Sequence, residues 1–501
     1  MTHAAILERL DLGALVPEEF GALRDVFRGG LERFLSRLPP ARIDRLAEVL
    51  GEVASADGPH AHLMAFLRHC PSLHKFGQLI ARRRDIDPGL RLLLQGLESL
   101  HSGRRDENVR RAVEDGLGPW KSRYHIDVGE APLAEASVAV VVPVAWRDES
   151  GVTRDGVVKL LKPHVTDFLM QELDALAEVA DFLEAESRTH GLPPLEYRAT
   201  YDDVRTLLEH EVDLAAEQTH LGAAATAYAG HPDVCVPALL PFCTPSLIAM
   251  QRVRGVKVTD GSGGAAERDR LAATIVRALL ADVLFSPHDE AIFHADPHAG
   301  NLFALEDGRL GLLDWSLAGR LTRDQRRQIV QIVAGALTLD PSRIARAVAA
   351  LAIDPPRPGA VEPVIERSLR RVAAGRLPGL AWLVGLLDGM ASAGVRFPPR
   401  LLLMRKTLWL LMSVLADLAP DFQADMVLVG ATWQAFMREW PHRFTAGVGD
   451  LGPSTHLSNL DLLELGLSAP WSLAAYWVRS WQFWRTPADD PGATAESSRW
   501  K

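Results

Sequence analysis

The sequence predicts an α+β protein in two lobes, a small strand-rich one and a larger helical one, with further helices at both ends. Three observations predict it. Strand signals cluster between about 130 and 254, where Val138 to Val144 and Gly156 to Leu161 are apolar runs separated by a polar turn. Apolar residues at helical spacing dominate outside that stretch, as in Leu31, Phe34, Leu35 and Leu38. Further on sits a polar block, His294-Ala295-Asp296-Pro297-His298-Ala299-Gly300-Asn301, followed by Leu313-Asp314-Trp315-Ser316.

The element order places a helical extension at 1–128, the small lobe at 129–254, the large lobe with its helical C-terminal region at 255–486, and a disordered low-complexity tail at 487–501. No repeat of 20 to 50 residues interrupts this order. Within the extension, Leu90 to Leu97 is also expected to be helical.

The polar block predicts phosphoryl transfer. Asp296 and Asn301 stand five apart, the separation of Asp and Asn in the kinase pattern H-R-D-x-x-x-x-N, and Asp314 ends an apolar run. Such chemistry needs a carboxylate beside the acceptor hydroxyl and oxygen ligands that hold magnesium on the nucleotide phosphates. Asp296 supplies the first, Asn301 and Asp314 the second. Leu302 to Leu305 and Leu310 to Leu313 flank Glu306-Asp307-Gly308, a hairpin turn that would bring Asn301 and Asp314 to neighbouring strand ends. His294 and His298 share the i, i+4 spacing of a zinc pair, but Pro297 between them and the lack of Glu beside His294 speak against it.

The small lobe should begin with a phosphate-covering loop, Ala134 to Ser137, with Ala134, Ala136 and Ser137 at the nucleotide. Lys159 in the following strand would grip phosphate oxygens. Helices are expected at Asp167 to Ser187 and Tyr201 to Tyr228. The second offers Glu217, with Glu211 as second choice, to orient Lys159. Val234 to Leu239 and Leu247 to Val253 read as the remaining small-lobe strands. Met250 to Arg254 would then be the hinge, with Met250 and Val253 beside the adenine. Leu271 to Phe285 reads as a long amphipathic helix, and Gln325 to Leu337, Arg343 to Leu351, Pro363 to Leu377 and Pro399 to Leu418 as further helices.

Composition narrows the function. A formal net charge of −10 argues against a nucleic-acid partner, which would call for clustered Lys and Arg. Cys70, Cys235 and Cys243 have neither disulfide nor metal-ligand spacing and read as small buried hydrophobes in a reducing compartment. No signal peptide and no membrane-spanning stretch is evident. A helix at about Pro470 to Trp484, with Trp471, Trp477, Trp481 and Trp484, could lie in a membrane interface. The expected location is therefore cytoplasmic or peripheral at the inner face of a membrane.

Taken together, these blocks resemble the UbiB-type family of atypical kinase-like proteins, associated with ubiquinone biosynthesis, over residues 60 to 340. Lys75-Phe76-Gly77-Gln78 matches its K-x-G-Q motif, Ala134 to Ser137 its alanine-rich loop, Glu211 and Asp213 its E-x-D pair, Glu217 its helix glutamate, and His294 to Asn301 its H-x-D-P-H-x-G-N block. Departures are Glu135 inside the loop, Val140 and Val142 for Gln and His, Gln251 in the hinge, and Asp314-Trp315-Ser316 where Asp-Phe-Gly is expected.

The resemblance implies a kinase-like fold that binds ATP and Mg²⁺. Its extension would place Lys75, Gly77 and Gln78 near Glu211 and Asp213 as a regulatory element that blocks peptide substrates. Implied partners are an adenine nucleotide and a small-molecule or prenyl-lipid acceptor in isoprenoid quinone metabolism. A second copy of the chain is also a candidate partner. Two other functions fit the same blocks: a small-molecule phosphotransferase of the aminoglycoside or choline kinase type, and a nucleotide-gated regulator or lipid-handling scaffold with little transfer activity.

Overall fold

The computed structural model describes residues 3–11, 21–53, 58–81, 107–190, 196–261, 263–374, 377–450 and 454–467. Leu90 to Leu97, the Trp-rich segment at 470–484 and the tail at 487–501 lie outside these residues. The chain forms two compact units, one of residues 1–222 and 237–252 and one of 223–236 and 253–501. The helices before residue 128 and the sheet after it thus belong to one unit.

In the first unit, short helices α1 (His3–Leu10), α2 (Gly21–Arg37), α3 (Pro40–Glu52), α4 (Gly58–His69) and α5 (Pro71–Ala81) are followed by α6 (Glu107–Arg123). Residues of the first five share one core with the long α7 (Pro163–His190) and with α8 (Tyr197–Val212). Phe34, Leu35, Leu46, Phe66, Leu173 and Tyr201 form the centre of that core. A polar contact crosses it. Arg42 Nε donates to Glu172 Oε1 at 3.0 Å and the Ser72 hydroxyl donates to the other carboxylate oxygen at 3.0 Å. Burial pushes the Glu172 carboxyl up, and the Arg42 guanidinium opposes that shift.

The sheet of this unit runs β1 (Asp127–Val128), β3 (Ala139–Arg147), β4 (Thr153–Leu161), β6 (Leu247–Gln251), with β2 (Ala134–Glu135) on β3. Every pairing is antiparallel, and Lys159 stands between Val141 and Ile248. The expected strands at 138–144 and 156–161 are both present. The single helix expected from Tyr201 to Tyr228 is two. Asp213 leaves helical geometry at φ −84°, ψ 75°, and its carboxylate accepts from the Ala216 amide at 2.9 Å, opening α9 (Leu214–Ala227). A short side chain that satisfies an orphan amide favours such a restart over an unbroken helix.

In the second unit, β5 (Val234–Cys235), β7 (Gly255–Lys257), β9 (Leu302–Leu305) and β10 (Leu310–Leu312) form one sheet in the order β5-β10-β9-β7. This corrects one expectation: Val234 does not begin a small-lobe strand. Its strand pairs in parallel with Leu310 and Gly311, both buried, while Leu239 makes only an isolated bridge to Met250. β8 (Glu290–His294) pairs antiparallel with β11 (Ala318–Thr322). The helix expected at 271–285 is present but irregular: α10 (Ala265–Val276) continues through a π-helical turn at Arg277–Ala281 into Asp282–Leu284.

Helices α11 (Arg323–Leu337), α12 (Pro341–Leu351), α13 (Glu362–Ala373), α14 (Leu380–Ser392), α15 (Pro399–Leu418) and α16 (Ala424–Arg443) follow. Thr322 and Gln325 form a capping box at the start of α11, satisfying two otherwise orphan amides. Cys70 and Cys235 are buried, whereas Cys243 is half-buried.

Candidate active site

The polar block of the second unit is assembled around His294, the buried last residue of β8. Its Nε2 donates to the Leu313 carbonyl at 2.8 Å, and its Nδ1 accepts from the Asp296 amide at 3.2 Å. Burial lowers the pKa of this imidazole, and both bonds suit its neutral form. The Trp315 indole packs on it with ring centroids 4.8 Å apart, fully buried, and donates to the Leu312 carbonyl at 3.3 Å. His294 and Trp315 therefore join the loop after β8 to the turn after β10.

That junction brings the candidate ligands together. Asn301 Nδ2 donates to the Asp296 carbonyl at 3.0 Å, and the Leu313 amide donates to the Asn301 carbonyl at 2.9 Å. The β9–β10 hairpin turns at Gly308, whose φ of +83° is open to glycine at little cost. Asp314 itself adopts φ +51°, and its carboxylate accepts from the Ser316 amide at 3.1 Å. Asp tolerates the left-handed region by such local bonding, so the missing glycine after it is not needed to make this turn.

The Asp296 carboxylate lies between two basic side chains. Lys406 Nζ is 3.1 Å from Oδ1, and His298 Nε2 is 3.6 Å from Oδ2. Sequence reasoning assigned no role to residues beyond about 340 and missed Lys406. Its one signal is the Arg405-Lys406 pair set between the apolar runs of α15.

The first unit holds the other predicted residues. Lys159 Nζ is 2.8 Å from both carboxylate oxygens of Glu217, and both side chains are almost fully buried. Glu211, on α8, faces different partners: Lys75 of α5 donates to one of its oxygens and the Ser137 hydroxyl to the other, at 3.1 Å. Gly77 lies in α5 with Lys75, as does the backbone of Gln78, whose side chain is outside the described residues. Asp213 serves as the cap of α9.

The alanine segment is partly strand rather than loop. Ala134 and Glu135 pair with Val141 and Val140, and the Ala136 amide donates to the Ala139 carbonyl at 2.8 Å. Glu135, unwelcome near phosphates on charge alone, forms an ion pair with the buried Lys162 at 2.8 Å. Met250 stands opposite Val157 in the sheet, and Val253 begins the part of the chain that belongs to the second unit.

Residues 102–348 match the ABC1 atypical kinase-like domain. The chain is also similar to proteins named "Probable protein kinase UbiB". That of Marinobacter nauticus is 24% identical over 408 residues, covering 78% of this chain and 70% of the relative. Those of Pseudomonas fluorescens SBW25 and Pseudomonas paraeruginosa are 25% and 26% identical, covering 78% and 74% of this chain and 72% and 69% of theirs. A solved structure of the Mycobacterium tuberculosis Rv3197–erythromycin complex aligns at a TM-score of 0.44 and 20% identity, over 69% of this chain and 87% of that one.

The match over residues 102–348 and the relatives named UbiB support the UbiB-type resemblance of the motifs and the kinase-like α+β fold class. Among the described residues, no group of three or more His, Cys, Asp or Glu is arranged to hold a metal by itself. Mg²⁺ is commonly held by one or two protein oxygens together with nucleotide phosphates and water. Asp314 would bind through its carboxylate and Asn301 through its amide oxygen. Among the described residues, no helix is long and apolar enough to cross a membrane.

Proposed function

We propose that this protein binds Mg-ATP and passes its γ-phosphoryl group to water or to the hydroxyl of a small acceptor, with a prenyl-lipid phenol as the acceptor class. The observation that carries the reading is the Asp296–Asn301–Asp314 constellation, held by the buried His294–Trp315 contact.

Lys159, oriented by Glu217, binds phosphate oxygens. Asn301 and Asp314 would hold the magnesium, which would neutralise phosphate charge. Asp296 accepts the proton of the attacking hydroxyl or water. The new O–P bond forms as the bond from the γ-phosphorus to the bridging oxygen breaks, and ADP leaves.

A lipid acceptor is supported by an apolar cavity of about 520 Å³ in the second unit, lined by Leu280, Ile329, Leu383, Met404, Leu408 and Phe436 among others. Beside it, Met426, Val429, Trp433, Met437, Trp440 and Phe444 are exposed at helical spacing along α16 and its end, a face suited to a membrane surface.

The test follows γ-labelled ATP with purified protein and liposomes carrying a phenolic quinone-precursor analogue, comparing wild type with Asp296→Asn. Label entering the lipid, and lost in the variant, supports transfer. Release of phosphate alone supports the ATPase arm. Neither product with folded wild type overturns the reading.

A further inference from the structure

Helix α15 lies outside the matched 102–348 region, yet it delivers a cation to the candidate base. Its position along β8 is set by contacts at both ends of that strand. Arg400 Nη1 is 2.9 Å from Glu290 Oε1, and the Thr407 hydroxyl lies 3.4 Å from the His294 carbonyl. Leu401, Met404, Leu408, Leu411 and Leu415 bury the helix in the core of the unit. Lys406 follows from this register, with Nζ 3.1 Å from Asp296 Oδ1.

The ion pair is poorly suited to a stabilising role. The Lys406 side chain is 43% exposed, and pairs so exposed contribute little to stability. The helix is already secured by apolar burial, so Lys406 is dispensable for packing. What the register achieves is a flexible ammonium group at the carboxylate where an acceptor hydroxyl would react.

Phosphoryl transfer is promoted by Lys or Arg side chains that clamp the moving group. We propose that Lys406 is such a cation: it contacts the γ-phosphoryl group of bound nucleotide and rests on Asp296 when no nucleotide is present. The carboxylate oxygen then stands in for a phosphate oxygen. The proposal rests on the kinase-like reading and adds a phosphate-contacting residue from the helical C-terminal region. Handing Lys406 from Asp296 to the phosphate would also release the base when the nucleotide arrives.

The decisive measurement is discrimination between a non-hydrolysable β,γ-imido ATP analogue and ADP, each titrated with magnesium into wild type, Lys406→Gln and Lys406→Arg. Lys406→Gln is expected to weaken the triphosphate about tenfold, about 1.4 kcal/mol, while ADP affinity stays within about twofold. Lys406→Arg, which keeps the charge, should recover most of the difference. In turnover, Lys406→Gln should lower kcat more than it raises KM, because the clamp tightens as charge moves in the transition state.

An unchanged triphosphate-to-diphosphate ratio in folded Lys406→Gln overturns this proposal and leaves the kinase-like reading standing. An equal loss for both nucleotides also overturns it, since that assigns Lys406 to general packing. Failure of folded wild type to bind either nucleotide overturns the parent reading and this one with it.

Discussion

Replacing Glu217 by Ala would leave the Lys159 ammonium buried without the carboxylate that holds it. The pair is bidentate at 2.8 Å, with side-chain exposures of 9% for Lys159 and 2% for Glu217. Removing one partner of a buried pair costs about 3–5 kcal/mol, because the remaining charge keeps its desolvation penalty and loses its compensation. For a unit of this size each kcal/mol corresponds to roughly 2–4 °C, so the expected fall in Tm is roughly 6–20 °C. Scanning calorimetry reads this directly. Adding Lys159→Met should restore most of the lost stability, since an apolar replacement removes the buried charge, without restoring nucleotide binding. A loss below about 1 kcal/mol in Glu217→Ala, or a double variant no more stable than the single one, would refute the argument that this pair is a buried and coupled unit.

Three further outcomes are expected. His456 donates to the Leu284 carbonyl at 2.9 Å, and burial with help from Arg326 and Arg323 lowers its pKa to about 4. The unfolded chain therefore takes up this proton first as pH falls from about 6.5. Stability should drop by about 2–3 kcal/mol between there and about pH 4, and His456→Gln should flatten that part of a Tm-against-pH profile. Gly319→Ala should cost about 1–3 kcal/mol in a denaturant melt, because the new Cβ would run into the buried ring of Phe293, one residue before His294. Lys75→Glu should set two carboxylates against each other at Glu211 and speed amide hydrogen exchange at the backbone of residues 71–81; unchanged exchange would show that the Lys75–Glu211 contact does not hold α5.

Much of the site was legible because short-range chemistry specifies it. The five-residue spacing of Asp296 and Asn301, the hairpin turn at Gly308 and the apolar run before Asp314 are local features. Local bonding is what brings these residues together, from the Asn301–Asp296 bond to the Leu313–Asn301 bond. The valine-rich strands around Lys159 were equally plain, since alternation and β-branching act on neighbouring residues. Glu211 and Glu217 were both picked out as rivals for Lys159, while the family resemblance also set Lys75 near Glu211. The break at Asp213 separates them onto two helices, and each takes its own lysine.

The sequence by itself determined the fold class, the positions of the strands around Lys159 and of most helices, and the residue types of the candidate phosphotransfer centre. Only the tertiary structure decided which other distant partners meet: Ser137 on Glu211, Lys162 on Glu135, Val234 with the β9–β10 hairpin, and Lys406 on Asp296. The physical reason is range. Propensity and periodicity report on residues a few positions apart, whereas a partner far away along the chain is selected by how whole helices and strands bury their apolar faces. Lys406 shows this clearly, since buried leucines set the register of α15, and that register carries the lysine to the carboxylate.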